Sequence, residues 1–137
     1  MKVWLRIVLA AALVHLAPAF AQALKKAVAS PALQKEFDCF ITKFHAGLKA
    51  NDSAAVAGMT RLPYMNDSSI RNATQFREKV YKPGFTAKNR ACIQRGKAVY
   101  ERSSDNSEAY LIFCGEEIFR FSKTSTGFLF AEIGVND

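Results

Sequence analysis

Residues 109–135 read AYLIFCGEEIFRFSKTSTGFLFAEIGV, and their period decides the fold. Apolar and polar residues alternate, so that Phe119 and Phe121 share one side of an extended chain, as do Phe128 and Phe130. The Lys/Thr/Ser/Gly stretch at 123–127 divides the segment into two strands, Ala109–Phe121 and Phe128–Val135. Upstream, Ala91–Glu101 is also rich in β-branched and aromatic residues and reads as a first strand. Ser103-Ser104-Asp105-Asn106-Ser107 is its turn, centred on Asp105. Short polar connections between such strands make an antiparallel meander.

Before residue 91 the period is helical. Ser30-Pro31 has the form of an N-cap followed by proline at the first helical position. From there Leu33, Phe37, Phe40, Ile41, Phe44 and Leu48 recur at steps of three and four, one apolar stripe of an amphipathic helix. Asn51 stops it, and Asp52 caps a short second helix to about Met59, with Val56 and Met59 turned inward. Arg61–Met65, interrupted by Pro63, suits an edge strand or an extended connection. Asn72 with Gln75 imitates a capping box for a third helix, expected to end near Tyr81 because Pro83-Gly84 follows. Helices first and strands last define an α+β protein, its amino-terminal helices packed on one side of an antiparallel sheet.

The chain has 137 residues, enough for one domain, and 23% of them are charged, which excludes a polytopic membrane protein. Residues 1–21 carry a basic start at Lys2 and Arg6, an apolar run from Ile7 to Leu16, and Ala19-Phe20-Ala21 as a cleavage pattern. That run is too short to cross a bilayer, so residues 1–21 are expected to be a signal peptide and the protein to be periplasmic or extracellular, without a stable membrane span after cleavage. Residues 22–36 then form a lead-in and the start of the first helix, and 37–137 a single α+β domain. Loss of Lys2 and Arg6 takes the formal charge from +7 to +5. His15 also leaves, so His45 is the one histidine of the mature chain; no metal site and no cofactor is expected.

Cys39, Cys92 and Cys114 remain. In an oxidising compartment one bridge and one unpaired thiol is the simplest count, and three pairings are open. Cys39 falls within the periodic helix, whereas Cys92 and Cys114 lie in successive strand-like segments, which favours Cys92–Cys114. A symmetric hairpin about Asp105 would set Cys92 opposite Ile118, however, and a four-residue offset is about 13 Å along a strand. The bond would then require a bulge, for which Gly96 and Gly115 are the available positions. Buried thiols without a bridge are the alternative.

Three stretches resemble small secreted bacterial proteins of the nuclear transport factor two-like superfamily: FITKFHAGLKANDSAAVAGMTRLPYM, NATQFREKVY and ACI…AYLIFCGEEIFRFSK…GFLFAEIGVND. The resemblance covers most of residues 37–137. It implies a cystatin-like α+β cone, in which a curved antiparallel sheet wraps a long helix and leaves a pocket. It also implies the Cys92–Cys114 pair, since a Cys…CG pair recurs in that group. Many relatives carry tryptophan in the final strand where this chain has Gly127-Phe128. Members of the superfamily include isomerases, dehydratases and binding modules, so function has to come from the site.

Enzymes on that fold, such as ketosteroid isomerase, use an acid or histidine in the pocket, and here the candidates are Asp38 and His45. Seven residues of helix put them about 10 Å apart along the axis, too far for a direct hydrogen bond. Phe40, Phe44, Tyr64 and Tyr110 are the candidates to line a pocket. A second feature is charge. Arg71, Arg77, Lys79, Lys82, Lys88, Arg90, Arg95, Lys97 and Arg102 are opposed within their span only by Glu78 and Glu101. Such a stretch serves either as a solvated face that maintains solubility or as a surface for an anionic envelope component. Nucleic acid is a poor match to an exported protein. Asn51, Asn66 and Asn72 begin glycosylation-type tripeptides and are read as caps and turns. The expected function is an exported, non-catalytic binding or interaction domain with a cone-type pocket and a basic face. Its partner would be a small apolar ligand or an anionic envelope component, and a homodimer stays open. The competing expectation is a small pocket enzyme transferring a proton through Asp38 or His45.

Overall fold

Ser30 opens the first helix as its sequence suggests: its hydroxyl accepts the Leu33 N–H at 3.1 Å, and Pro31 follows. The computed structural model describes residues 26–137; the expected signal peptide, residues 1–21, its expected cleavage point and residues 22–25 lie outside that range. Helix α1 runs Pro31–Lys49 and buries Leu33, Phe37, Phe44 and Leu48 along one side. Asn51, at φ 50°, turns the chain out of it. The Asp52 carboxylate then accepts the Ala55 N–H at 3.0 Å and starts α2, Ser53–Gly58. Leu62–Pro63 is a cis peptide. The segment around it is a connection, joined to the sheet where Arg61 N–H donates to the Phe130 carbonyl and Phe130 N–H to that of Met59, both at 2.8 Å.

Asn72 caps α3, Ala73–Phe76, by accepting the Gln75 N–H at 2.9 Å. The Gln75 side chain reaches back to the Arg71 N–H rather than to Asn72, so the capping box is offset by one residue. The helix does not stop at Tyr81. It passes through a π-helical turn, Arg77–Tyr81, into α4, Lys82–Gly84. Pro83 has no N–H to give and crowds the preceding turn, and the wider turn just before it is one way a helix accommodates such a residue.

The largest departure from expectation is at Ala91–Glu101. Thr86 caps a helix, α5, that covers Ala87–Arg95, so the first half of the expected strand is helical. Strand β1 is only Val99–Arg102. The expected second strand, Ala109–Phe121, is a hairpin: β2, Glu108–Cys114, turns at Gly115-Glu116 into β3, Glu117–Thr124. Gly115 holds φ +66°, the conformation that the first position of such a two-residue turn demands. Strand β4 is Gly127–Val135.

The four strands form an open antiparallel sheet in the order β1-β2-β3-β4, which with the helices makes the α+β class. Its inner face carries Tyr110, Ile112 and Cys114 from β2, Phe119 and Phe121 from β3, and Phe128 and Phe130 from β4, all buried. A register shift after Arg120 leaves Ala131 as an extra residue on β4. Phe130 and Ala131 are therefore both buried, and the inward phase moves to Ile133. The outer face carries Arg120, bonded to Glu101 at 2.6 Å, and exposed Phe113.

A disulfide joins Cys92 to Cys114 with Cα atoms 5.9 Å apart. The pairing is the expected one, but not by the expected route. The turn is centred on Asp105, with Arg102 opposite Glu108, and yet the strand never extends back to Cys92. Cys92 lies on α5, so the bond links a helix to the end of β2 and needs no bulge at Gly96 or Gly115. Gly96 instead ends α5 close to the sheet, where a Cβ would come within 2.6 Å of Ile112.

Candidate functional site

Three of the four residues expected to line a pocket are in the core. Phe44, Tyr64 and Tyr110 are buried, and Phe40 is half-buried. Phe37 stacks on Tyr110 at 3.8 Å, Phe44 meets Phe121 edge-on at 5.0 Å, and Phe85 meets Phe130 at 5.3 Å. Aromatic rings thus occupy the space between α1 and the sheet. The Tyr64 hydroxyl accepts the Ile133 N–H at 2.9 Å, and burial pushes its pKa up to about 12, so it stays a neutral phenol.

The proposed acid–base pair is not assembled. Asp38 is exposed and accepts a hydrogen bond from the Gln34 amide at 2.8 Å; Gln34 in turn accepts the Tyr110 hydroxyl at 2.7 Å. His45 is half-buried near Ile93 of α5, and its Nε2 is buried without a hydrogen-bond partner among the described residues. Neither residue borders any of four surface clefts among the described residues. Burial lowers the His45 pKa below its usual 6.5, while the nearby Ile93 backbone pulls the other way. A histidine depressed in the fold takes up fewer protons than in the unfolded chain as pH falls below 6.5. Stability is accordingly expected to fall as pH drops below about 6.5 and to level off once both states are protonated. Urea midpoints across that range should show the decline in the parent and a flatter profile in His45→Gln. An equal slope in both would rule His45 out as its source. Asp67 and Asp105, held below the usual carboxylate range mainly by their hydrogen bonds to Ser69 and Ser107, titrate in a lower window.

The nine bases are divided by the fold. Arg102 pairs with Glu108 at 3.7 Å and Lys82 lies 4.0 Å from Glu78; the other seven make no ion pair among the described residues. Lys97 borders a cleft on one side of the molecule and Lys88 another, beside Glu116 and Glu117. Arg77, Lys82 and Arg90 share a third cleft, of about 350 Å³, with Asn51, Ser53, Tyr81 and one carboxylate, Glu78.

That cleft is built by three elements. In the π-helical turn the Lys82 N–H bonds to the Arg77 carbonyl, so residues five apart lie one turn from each other and both bases point along one side. Arg77 Nε donates to Ser53 Oγ of α2 at 2.8 Å. Arg90 of α5 donates from Nη1 to the Phe85 carbonyl at 2.7 Å. Tyr81 donates to Asn51 Oδ1 at 2.8 Å, and its ring stacks on Phe85 at 5.0 Å to make the floor. Burial raises the Tyr81 pKa, partly opposed by the Arg90 charge. Asn51 and Ser53 escaped notice as site residues because in the sequence they serve a helix end and a cap. Only the packing of α2 against the π-helical turn brings them to Arg77.

A further cleft, of about 470 Å³, lies between residues 26–31 and β1. Val28, Ala98 and Tyr100 make it mostly apolar, and Gln34 and Tyr110 stand at its inner end. Cys39 is exposed and unpaired on α1. No group of His, Cys, Asp and Glu among the described residues could hold a metal ion, and no described helix is long and apolar enough to cross a membrane. Comparison with protein-family models, with curated proteins and with solved structures finds no match.

Proposed function

We propose that this chain is an exported, non-catalytic binding domain of the nuclear transport factor two-like, cystatin-like cone type, and that its basic surface recruits an anionic component of the cell envelope. The observation that carries the reading is the state of the bases between Arg71 and Arg102: only Lys82 and Arg102 have carboxylate partners among the described residues. Cations left without such partners raise the local potential and attract anionic surfaces. Export is supported by the Cys92–Cys114 disulfide, a bond that persists in oxidising compartments. The cone is supported by the sequential meander and by the bulge at Ala131, a feature that bends and further twists the strand that carries it. Asp38 and His45 have no part in this reading, because one stands in water bonded to Gln34 and the other faces Ile93.

A small apolar ligand would take an apolar-lined cleft on the surface. It is the cleft beside Val28, Ala98 and Tyr100, not the aromatic-filled core.

Vesicle sedimentation tests the main reading. The protein is expected to pellet with phosphatidylglycerol vesicles at about 20 mM salt, and to be released as salt approaches about 200 mM and screening shortens the reach of surface charges. Equal retention on neutral phosphatidylcholine vesicles would refute charge-based recruitment.

A further inference from the structure

The cleft formed by Arg77, Lys82 and Arg90 differs from the rest of the basic surface in one respect. Its two guanidinium groups are held in place by neutral acceptors: Arg77 by the Ser53 hydroxyl and Arg90 by the Phe85 carbonyl. Neither meets a carboxylate within ion-pair distance among the described residues, so its charge is left without an anionic partner while one of its N–H groups is already committed. A guanidinium has five N–H donors in a planar fork, and the donors left over suit a paired set of oxygens. One carboxylate, Glu78, also lines the cleft, exposed and 4.0 Å from the Lys82 ammonium, while Asp52 caps α2 through the Ala55 N–H. The Tyr81 hydroxyl and Asn51 amide are fixed against each other, and the flat floor made by Tyr81 on Phe85 limits the depth. A π-helical turn at Arg77–Tyr81 forms one wall, and such turns concentrate at functional positions.

From this arrangement we infer that the Arg77–Arg90 cleft is a binding subsite for a phosphate group, with Arg77 and Arg90 gripping its oxygens and Lys82 and Ser53 at the rim. A phosphate suits the cleft better than a carboxylate. It carries close to two negative charges and three acceptor oxygens at neutral pH, against two arginines that lack anionic partners. The volume of about 350 Å³ accommodates the group and the first atoms of whatever bears it. A soluble phosphate monoester supplies that chemistry in full, whereas the phosphodiester of a phospholipid headgroup offers one negative charge and two free oxygens to the same pair of arginines. The inference rests on the proposed recruitment of anionic components and narrows it to one cleft.

The test uses the purified protein with inorganic phosphate and glycerol 3-phosphate as probes, in calorimetry and in amide NMR at constant ionic strength, with chloride as reference anion. Phosphate is expected to shift the amides of residues 51–53 and 77–82. Arg77→Gln and Arg90→Gln should each weaken binding about tenfold, the loss of one charge-assisted contact. Arg90→Lys should also weaken it, since charge is kept but the fork is lost. Lys43→Gln, exposed on α1 and outside both the basic stretch and the cleft, should change affinity less than about twofold. Arg77 is exposed, so its variant tests the site without disturbing the core, and thermal melts identify any variant that fails to fold.

Phosphate binding that survives Arg77→Gln and Arg90→Gln unchanged, or that chloride matches at equal ionic strength, overturns the subsite. In the vesicle arm, competition by phosphate together with loss of retention in Arg77→Gln supports the subsite with a lipid headgroup as source. Cleft binding of phosphate with unaltered vesicle retention supports it with a soluble ester as source. Retention on anionic vesicles with no phosphate response at the cleft leaves the general basic surface standing and removes the subsite. Phosphate binding at the cleft without vesicle retention does the reverse.

Discussion

Replacing Phe130 by Ala is expected to destabilise the protein by about 3–5 kcal/mol, the range for truncating a buried aromatic side chain. Phe130 is 0% exposed and packs within 6.4 Å, ring centre to ring centre, of Phe44, Tyr64, Phe76, Phe85, Phe119 and Phe121. These rings come from α1, the connection after α2, α3, the segment after α4, and β3. Removing the one they share leaves a cavity bordered by all of these elements, and a site enclosed on so many sides collapses poorly. Its backbone also carries the two hydrogen bonds that hold the 59–61 connection against β4. Phe113→Ala is the matched control. That ring lies on the outer face of β2, 45% exposed, and its loss is expected to cost under about 1 kcal/mol. Urea unfolding of the two variants provides the measurement. Similar losses in both would mean that the Phe130 cluster is not the central core.

The helical stripe from Leu33 to Leu48 was legible because its periodicity and its caps agree: Ser30, Pro31 and Asn51 mark the ends that the apolar spacing requires. The hairpin of β2 and β3 was misread as one strand because the Gly115-Glu116 turn has only two residues. Cys114 and Ile118 on either side of it continue the apolar enrichment that suggested a single extended run. Helix α5 was misread for the opposite reason. Cys92 and Ile93 look strand-like in isolation, but Thr86 caps the segment, and Ala87, Lys88, Arg90 and Ala91 are good helix formers. Its apolar side is short because it rests on α1 and on the end of β2 rather than across the sheet. The disulfide agrees with the sequence although its route differs: the register about Asp105 is the one the turn residues predict, and Cys92 reaches Cys114 from a helix rather than from a strand.

The site was less legible than the fold. Charge alone marked Arg77, Lys82 and Arg90 among nine bases, with nothing to separate them from Arg71 or Lys97. What separates them is tertiary. The π-helical turn stacks two of them and α5 carries the third across, with the hydrogen-bonding groups of Asn51 and Ser53 arriving from a segment more than twenty residues away. Asp38 and His45 show the converse. They were singled out as ionisable residues on the helix that a cone would wrap, and helical spacing does put them on related faces. The spacing says nothing of what each face meets, and here one meets water and the other α5.

Reducing the Cys92–Cys114 bond is expected to lower stability by about 2–4 kcal/mol, with the chain-entropy estimate near 3 kcal/mol for a loop of this length. The bond spans 22 residues and encloses the least supported part of the sheet. Strand β1 has four residues and pairs only with β2, and the connection at 103–107 is held by turn contacts of Asp105 and Asn106. Without the link, α5 depends on Ile93 and on the close approach of Gly96 to Ile112 to stay against β2. Cys92→Ser and Cys114→Ser should each lose about the full increment, and the double variant should be no worse than either, because one covalent bond is lost in all three. Cys39→Ser should leave the unfolding midpoint nearly unchanged, since that thiol is exposed on α1 and unpaired. In folded, oxidised protein a thiol reagent should label Cys39 and leave the other two untouched. Label on Cys92 or Cys114, or a midpoint insensitive to reductant, would show that the bridge does not hold α5 to the sheet.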